Sequence, residues 1–304
     1  MEWFQETLHP AIRQTLKVEE VLHREKTALQ DLVIFRNPTF GRVMALDGIV
    51  QTTEGDEFVY HEMLAHVPIL AVKAAKGAGA KGRVDKVLIV GGGDGGCIRE
   101  VMKHAKLACT MVEIDPGVIE LSREHLPNHH AGAFDDPRAR IVIADGAKFV
   151  QGTNDRYDVI IIDSTDPVGP GAVLFTEEFY ADCKRCLAPG GVLVTQNGVP
   201  FLQGPELQSS VRAFRKLFRE GGCYLAVVPT YNGGFMALGW ATDNLRLKKT
   251  PVATIARLYK AAKLKTRYFT PEMFTGAFCL PAFIHTLIDG ISYAKRSRPV
   301  KRRR

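Results

Sequence analysis

No apolar run in the 304 residues approaches the roughly 20 that a bilayer-spanning helix needs, so a helical membrane protein is not expected. The stretch "MEWFQETLHP" has neither a basic n-region nor an apolar h-region, which points to a cytoplasmic protein without membrane attachment. Cysteine is sparse. Cys97, Cys109, Cys183, Cys186, Cys223 and Cys279 are scattered, and the single C-x-x-C pair has no second pair to complete a zinc site, so reduced and mainly structural thiols are expected. No internal repeat runs along the chain.

The body also lacks net charge. The formal charge is +7, but "KRSRPVKRRR", residues 295–304, holds seven basic residues and no acid, so removing that tail leaves a chain near neutrality. Basicity confined to a tail describes a solvated, disordered end rather than a folded nucleic-acid face, and contact of the tail with nucleic acid is not expected.

From about residue 14 to residue 56 the pattern alternates and is broken by turn residues, among them Asn37-Pro38 and Asp47-Gly48. Short antiparallel strands joined by hairpins fit it. "DEFVYHEMLAHVPILAVKAAK" has helical spacing, and "GAGAKGRVD" reads as a flexible surface connection. After residue 85 apolar strands alternate with amphipathic helices, the rhythm of a parallel sheet covered on both faces. The expected architecture is therefore α/β: a small β-hairpin domain over 1–56, a Rossmann-like, methyltransferase-type sheet with helices on both faces over 57–294, and the tail 295–304.

In such sheets ligands sit outside the carboxyl ends of the strands. The first parallel strand, "KVLIV", ends in "GGGDGG", whose glycines let a ligand approach the backbone. Asp94 inside that loop argues against a pyrophosphate there. Nineteen residues on, Glu113 ends the second strand, where an acid takes the hydroxyls of an adenosine ribose. The third strand leads to Asp145 and Gly146, where an acid can accept from an adenine amino group. The fourth ends at "IIIDSTDPVGPG", with Asp163 and Asp166 in one Pro- and Gly-rich loop, close enough to repel unless a cation lies between them.

The rim thus carries Asp94, Glu113, Asp145, Asp163 and Asp166, with no lysine or arginine in these motifs. Acids without histidine or cysteine company could hold a hard metal. Beside an adenosine signature they are better matched to organic cations, a sulfonium on the nucleoside and a polyamine as acceptor, with no metal. A methyltransferase would share the fold, but Val90 stands where its usual acid precedes the first glycine. A dinucleotide oxidoreductase is disfavoured by Asp94 and by the second acidic loop, and a non-enzymatic nucleic-acid binder rests only on the tail.

These stretches, with "LDGIVQTTEGDEFVYHEM", "MVEIDPGVI", "DDPRARIVIADG", "LFTEEFY", "QNG" and "PTYNGGFMALGWATDN", resemble in order and spacing the spermidine synthases, the polyamine aminopropyltransferase family, in its bacterial form. The departures are a Gly- and Lys-rich insertion near 74–85 and the arginine tail. The resemblance implies transfer of the aminopropyl group of decarboxylated S-adenosylmethionine, a co-substrate and not a resident cofactor, to putrescine, giving spermidine and 5′-methylthioadenosine. Cadaverine or spermidine as acceptor is the alternative, as is methyl transfer from S-adenosylmethionine. It further implies that Gln30 and Gln51 contact the donor, Glu113 its ribose, Asp145 and Gly146 its adenine, and Asp94 its aminopropyl end. Pro170 would belong to the loop covering the donor, and Tyr60, His61, Asp163, Asp166, Gln196 and Tyr231 would line the amine channel, with Asp163 as the proton acceptor. Homodimers or homotetramers assembled partly through the N-terminal β domain are also implied.

Overall fold

The structure, a computed structural model, describes residues 2–27, 29–77, 84–167 and 169–290. Residues 78–83 of the expected connection over 77–85, and the tail, lie outside the described residues.

The hairpin region opens with a strand that the alternation did not signal, β1 (Glu2–Gln5), antiparallel to β2 (Thr15–Val18). A four-stranded antiparallel sheet follows in chain order: β3 (Glu20–Lys26), β4 (Asp31–Asn37), β5 (Gly41–Leu46) and β6 (Ile49–Thr53). Both expected turns form. Asn37 Oδ1 accepts the N–H groups of Thr39 and Phe40 at 2.9 Å, and Asp47 and Gly48 take φ of 50° and 78°, the left-handed pair that matches strand twist in a tight hairpin. β4 is buried on both faces. Leu32 and Ile34 pack with Val118 and Leu121 of the larger unit, while Val33 and Phe35 pack within the N-terminal layer.

Helix α1 (Glu57–Lys76) is apolar over most of its circumference and buried through Val72, as a central helix must be. The strand–helix series then runs β7 (Lys86–Gly91), α2 (Gly96–Met102), β8 (Ala108–Glu113), α3 (Pro116–His125), α4 (Pro127–His130), β9 (Ala139–Ile143), α5 (Gly146–Gly152) and β10 (Tyr157–Asp163). It continues with α6 (Glu177–Cys186), β11 (Leu187–Gln196), α7 (Gly204–Leu217), β12 (Glu220–Ala226), β13 (Met236–Thr242), α8 (Val252–Ala261), α9 (Pro271–Gly276) and α10 (Ala282–Asp289). Seven strands form one sheet in the order β12-β13-β11-β10-β7-β8-β9. Successive residues face opposite cores, Val87 and Ile89 against α1 and α2, Leu88 and Val90 against the helices of the other face.

One expectation needs correction. The sheet is not parallel throughout, because β13 runs antiparallel to both β11 and β12. The chain leaves β12, turns back through residues 227–235 and enters the sheet between β11 and β12. That reversal puts the 227–235 loop, with Tyr231, on the edge where the parallel strands end. On that edge the strand order turns between β7 and β10, so the loops after these two strands diverge around a crevice. Among the described residues all six cysteines are free, five of them buried.

Candidate functional site

A cavity of about 400 Å³ lies over the crevice between β7 and β10, roofed by β5, β6 and the N-terminal segment. The loop after β7 is drawn tightly against β10. Gly92 N–H donates to the carbonyl of Asp163 at 2.8 Å, and a Cβ on Gly91, whose φ is 86°, would come within 2.1 Å of that oxygen. A side chain at Gly91 would push the two strand ends apart.

At one end of the cavity stand the groups read as adenosine ligands. Glu113 is 8% exposed, and its Oε1 accepts the N–H groups of Ile114 and Asp115 at 2.8 and 3.0 Å. Its other oxygen lies toward Gly93, where a Cβ would approach it to 3.0 Å. Burial raises the Glu113 carboxyl to about 7 against the opposing effect of those N–H groups. Asp145 caps α5 through Oδ1, bonded by Ala147 and Lys148 N–H at 2.9 and 3.2 Å, and Gly146 is so close to Val90 that a Cβ would meet its methyl at 2.3 Å. Gln30 lines the cavity and donates to Asp115 at 2.8 Å. Gln51 lines it from β6, its backbone oxygen accepting the Tyr231 hydroxyl at 2.6 Å. Pro170 lies on the short 3₁₀ helix Gly169–Phe175, whose Gly169 and Gly171 line the cavity; its side chain lies outside the described residues.

At the other end are the groups read as the amine channel. Asp163 ends β10, and its Oδ1 accepts the Tyr60 hydroxyl at 2.8 Å, while its buried Oδ2 has no partner. Burial, reinforced by the charge of Asp94, raises its carboxyl to about 6 against His61 and Tyr60. Asp166 is held by amides rather than by a cation: Oδ1 accepts from Gln203 at 2.6 Å and Gln196 at 3.4 Å. Tyr60 and Tyr231 meet edge to face with centroids 6.0 Å apart.

The rim acids do have a histidine beside them, the one that the resemblance placed in the amine channel. His61 reaches Asp94, with Nε2 3.3 Å from Oδ2, and its Nδ1 lies 2.6 Å from Glu57 Oε2. Burial lowers the basicity of His61, but the two carboxylates raise it by more, well above the usual range, and Asp94 is correspondingly held well below the usual carboxylate range. His61, Asp94 and Asp163 bring ligand-type atoms within 4.8 Å of one another, a metal-like spacing. Both ring nitrogens of His61 are turned to carboxylates, however, and a protonated ring that donates to each has no lone pair left for a metal.

Several residues around the site escaped the sequence reading. Glu57 lies one helical turn before His61, a spacing that could have signalled it. Gln203 orients Asp166 from the start of α7, and Asp56 accepts both the N–H and hydroxyl of Thr230 at 2.7 Å, fixing the loop that carries Tyr231. Glu6 reaches the cavity from beyond β1, its Oε1 accepting Val50 N–H at 3.0 Å. No local pattern marks any of these three.

The geometry can be set beside known proteins. Residues 57–250 match the family described as spermine/spermidine synthase domain, and residues 2–54 match the spermidine synthase tetramerisation domain. A polyamine aminopropyltransferase of Ruegeria sp. (strain TM1040) is 52% identical over 286 residues, covering 94% of this chain and 98% of the relative. The polyamine aminopropyltransferase of Escherichia coli O1:K1 / APEC is 52% identical over 280 residues, covering 92% and 94%. Among solved structures, a spermidine synthase in complex with the transition state analogue AdoDATO superposes with a TM-score of 0.87 at 37% identity, covering 95% of this chain and 96% of that one. Spermidine synthase from Thermotoga maritima gives 0.85 at 35%, covering 95% of each chain. A sheet edge bearing this set of acids, found in a chain with matches along nearly its whole length, leads to one assignment: the protein belongs to the spermine/spermidine synthase family and is a polyamine aminopropyltransferase.

Proposed function

We propose that the protein transfers the aminopropyl group of decarboxylated S-adenosylmethionine to putrescine, giving spermidine and 5′-methylthioadenosine. The observation that carries this reading is that Asp94, Glu113, Asp145, Asp163 and Gln196 line one cavity, and that the strand order sets Asp163 on β10 and Asp94 after β7 between the acids at the ends of β8 and β9 on one side and Gln196 on β11 on the other. In this reading the donor lies along Gln30, Gln51, Glu113, Asp145 and Gly146, under the segment containing Pro170. Its aminopropyl end points to Asp94, and the amine lies along Tyr60, His61, Asp163, Asp166, Gln196 and Tyr231.

The acceptor nitrogen uses its lone pair to attack the carbon next to the sulfonium. The C–S bond breaks, its electron pair stays on sulfur, and a neutral thioether leaves. An alkyl ammonium with a pKa of about 10 has no lone pair to offer at neutral pH, so one proton must first leave the nitrogen. Asp163 Oδ2, buried and unpartnered, is the acceptor for it. Its raised pKa brings it closer to the amine than an ordinary carboxylate would be. Tyr60 holds the other oxygen, so the carboxylate cannot turn away.

The test is formation of 5′-methylthioadenosine from decarboxylated S-adenosylmethionine with putrescine, cadaverine, spermidine or no amine. Product with putrescine and little with the others is expected. Turnover with no amine, or methyl transfer from S-adenosylmethionine, counts against the reading. A second expectation concerns binding. Two ribose hydroxyls need the ionised form of Glu113, whose carboxyl burial raises to about 7. Affinity for 5′-methylthioadenosine should therefore rise with pH up to that value and fall about tenfold per unit below it, and Glu113→Gln should flatten the profile. A flat profile in the unsubstituted protein would remove Glu113 from the ribose.

The division into a β-hairpin domain over 1–56, a catalytic domain over 57–294 and a tail is part of the same proposal. So is assembly into homodimers or homotetramers through the first of these, supported by the tetramerisation-domain match and by Trp3, 55% exposed on β1. We place the enzyme in the cytoplasm, working without a resident metal or cofactor; no described helix is long and apolar enough to cross a membrane.

A further inference from the structure

Behind Asp94 the cavity wall carries charges that the transfer step does not use. His61, 2% exposed, lies between the carboxylates of Glu57 and Asp94. Glu57 is gripped by Arg99, with Nη1 3.0 Å from Oε1 and Nη2 2.8 Å from Oε2. Arg99 is itself fixed by Glu100 Oε1 at 2.7 Å and by the carbonyls of Asn128 and His129 at 3.0 and 2.7 Å. The ring rests on the backbone of Gly96, where a Cβ would come within 2.2 Å of Nδ1, and it packs edge to face with Tyr60 and His129. It is therefore held against rotation away from Asp94.

We infer that His61 is a built-in cation that pairs with Asp94 and is discharged when the substrate's ammonium takes its place, with Glu57, clamped by Arg99, as the positioning residue that holds the ring there. The inference rests on the reading of Asp94 as the partner of the donor's aminopropyl end. On discharge the Nε2–H bond breaks, the proton passes to solvent, and the electron pair stays on Nε2, which then faces the incoming N–H as an acceptor. Glu57 keeps the Nδ1 hydrogen and so fixes the tautomer. One positive charge enters as another leaves, and Asp94 is never left as a buried unpaired carboxylate.

The charged and titratable groups around the ring are Glu57 and Asp94 at its two nitrogens, Tyr60 and His129 in ring contact with it and Asp163 within 4.8 Å, with Arg99 held on Glu57 and with Cys97 and Tyr231 near Asp94 and Asp163. Asp163 and Glu113, at about 6 and about 7, are ionised before ligand arrives at about pH 8.5, while burial holds His129 neutral there. Proton release at that pH then reports on His61.

The experiment is titration calorimetry of the full-length protein at about pH 8.5 in two buffers of different ionisation enthalpy, with decarboxylated S-adenosylmethionine and with 5′-methylthioadenosine, which has no ammonium. Release approaching about one proton per donor bound, and none per 5′-methylthioadenosine, is expected. His61→Gln should bind the donor without release. Glu57→Gln, checked for folding by circular dichroism, should lose the release as well. Donor binding without proton release, equal release by 5′-methylthioadenosine, or release that persists in His61→Gln would each overturn the inference. Binding of 5′-methylthioadenosine together with failure of the donor to bind would instead remove the reading of Asp94 on which it rests.

Discussion

Replacing Asp163 by asparagine is expected to lower kcat by about 10²–10⁴-fold, or about 3–5 kcal/mol in the barrier, while the donor still binds. The substitution keeps the shape of the side chain and the hydrogen bond from Tyr60, which lies 2.8 Å from Oδ1. What it removes is the acceptor at Oδ2, placing an amide in a buried position that has no partner for it. The effect should fall on kcat rather than on donor affinity, because Asp163, at the end of β10, lies on the amine side of the junction, while Glu113 and Asp145 lie beyond β7, at the ends of β8 and β9. The pH profile supplies a second readout. Only the carboxylate can take the proton, and its raised value of about 6 places the loss of kcat/KM for the amine, at saturating donor, below that pH. That acidic limb should disappear in the asparagine variant. Near-normal turnover, or an unchanged limb, would assign the proton to another group.

The strand ends were legible because their signal is local. An apolar strand followed by glycines and an acid repeats four times after residue 85, and strands of one parallel sheet deliver their ends to one edge, so Asp94, Glu113, Asp145, Asp163 and Asp166 converge without any knowledge of side-chain packing. Where pairing is non-local the reading gave out. β13 looks like any apolar strand, and its antiparallel place between β11 and β12 depends on which edges are free once the others have paired. The same holds for Glu6 and Gln203, which reach the cavity through tertiary contacts of their own segments. His61 shows a subtler limit. Its presence near the site was expected, but its charge was not, because that charge depends on Asp94, far along the chain, as much as on Glu57 one turn away.

Glu62, which follows Tyr60 and His61 in "DEFVYHEM", has a different duty from those two, and Glu62→Ala is expected to cost stability rather than catalysis. At about 100° per residue, a helix that turns Tyr60 toward the cavity must turn Glu62 to the far side. There Glu62, 1% exposed, accepts three backbone N–H groups of the segment entering α9: Arg267 at 2.7 Å on Oε1, and Tyr268 and Phe269 at 2.9 and 2.8 Å on Oε2. Phe269, 1% exposed, is part of the core that covers α1. Alanine would strand the Phe269 N–H away from water and leave a void, while the partly exposed N–H groups of Arg267 and Tyr268 could turn to solvent. That limits the loss to about 2–4 kcal/mol, or about 3–6 °C in the unfolding midpoint of a chain this size. Glu62→Gln keeps an acceptor oxygen and should lose about half as much. At temperatures where the variants are folded, kcat should stay near that of the unsubstituted enzyme, because the three hydrogen bonds of Glu62 run to residues 267–269, none of which lines the cavity. An unchanged midpoint would show that the three N–H groups find other partners at no cost. A large fall in kcat with stability intact would place Glu62 in the reaction and undo the division of Tyr60, His61 and Glu62 between site and scaffold.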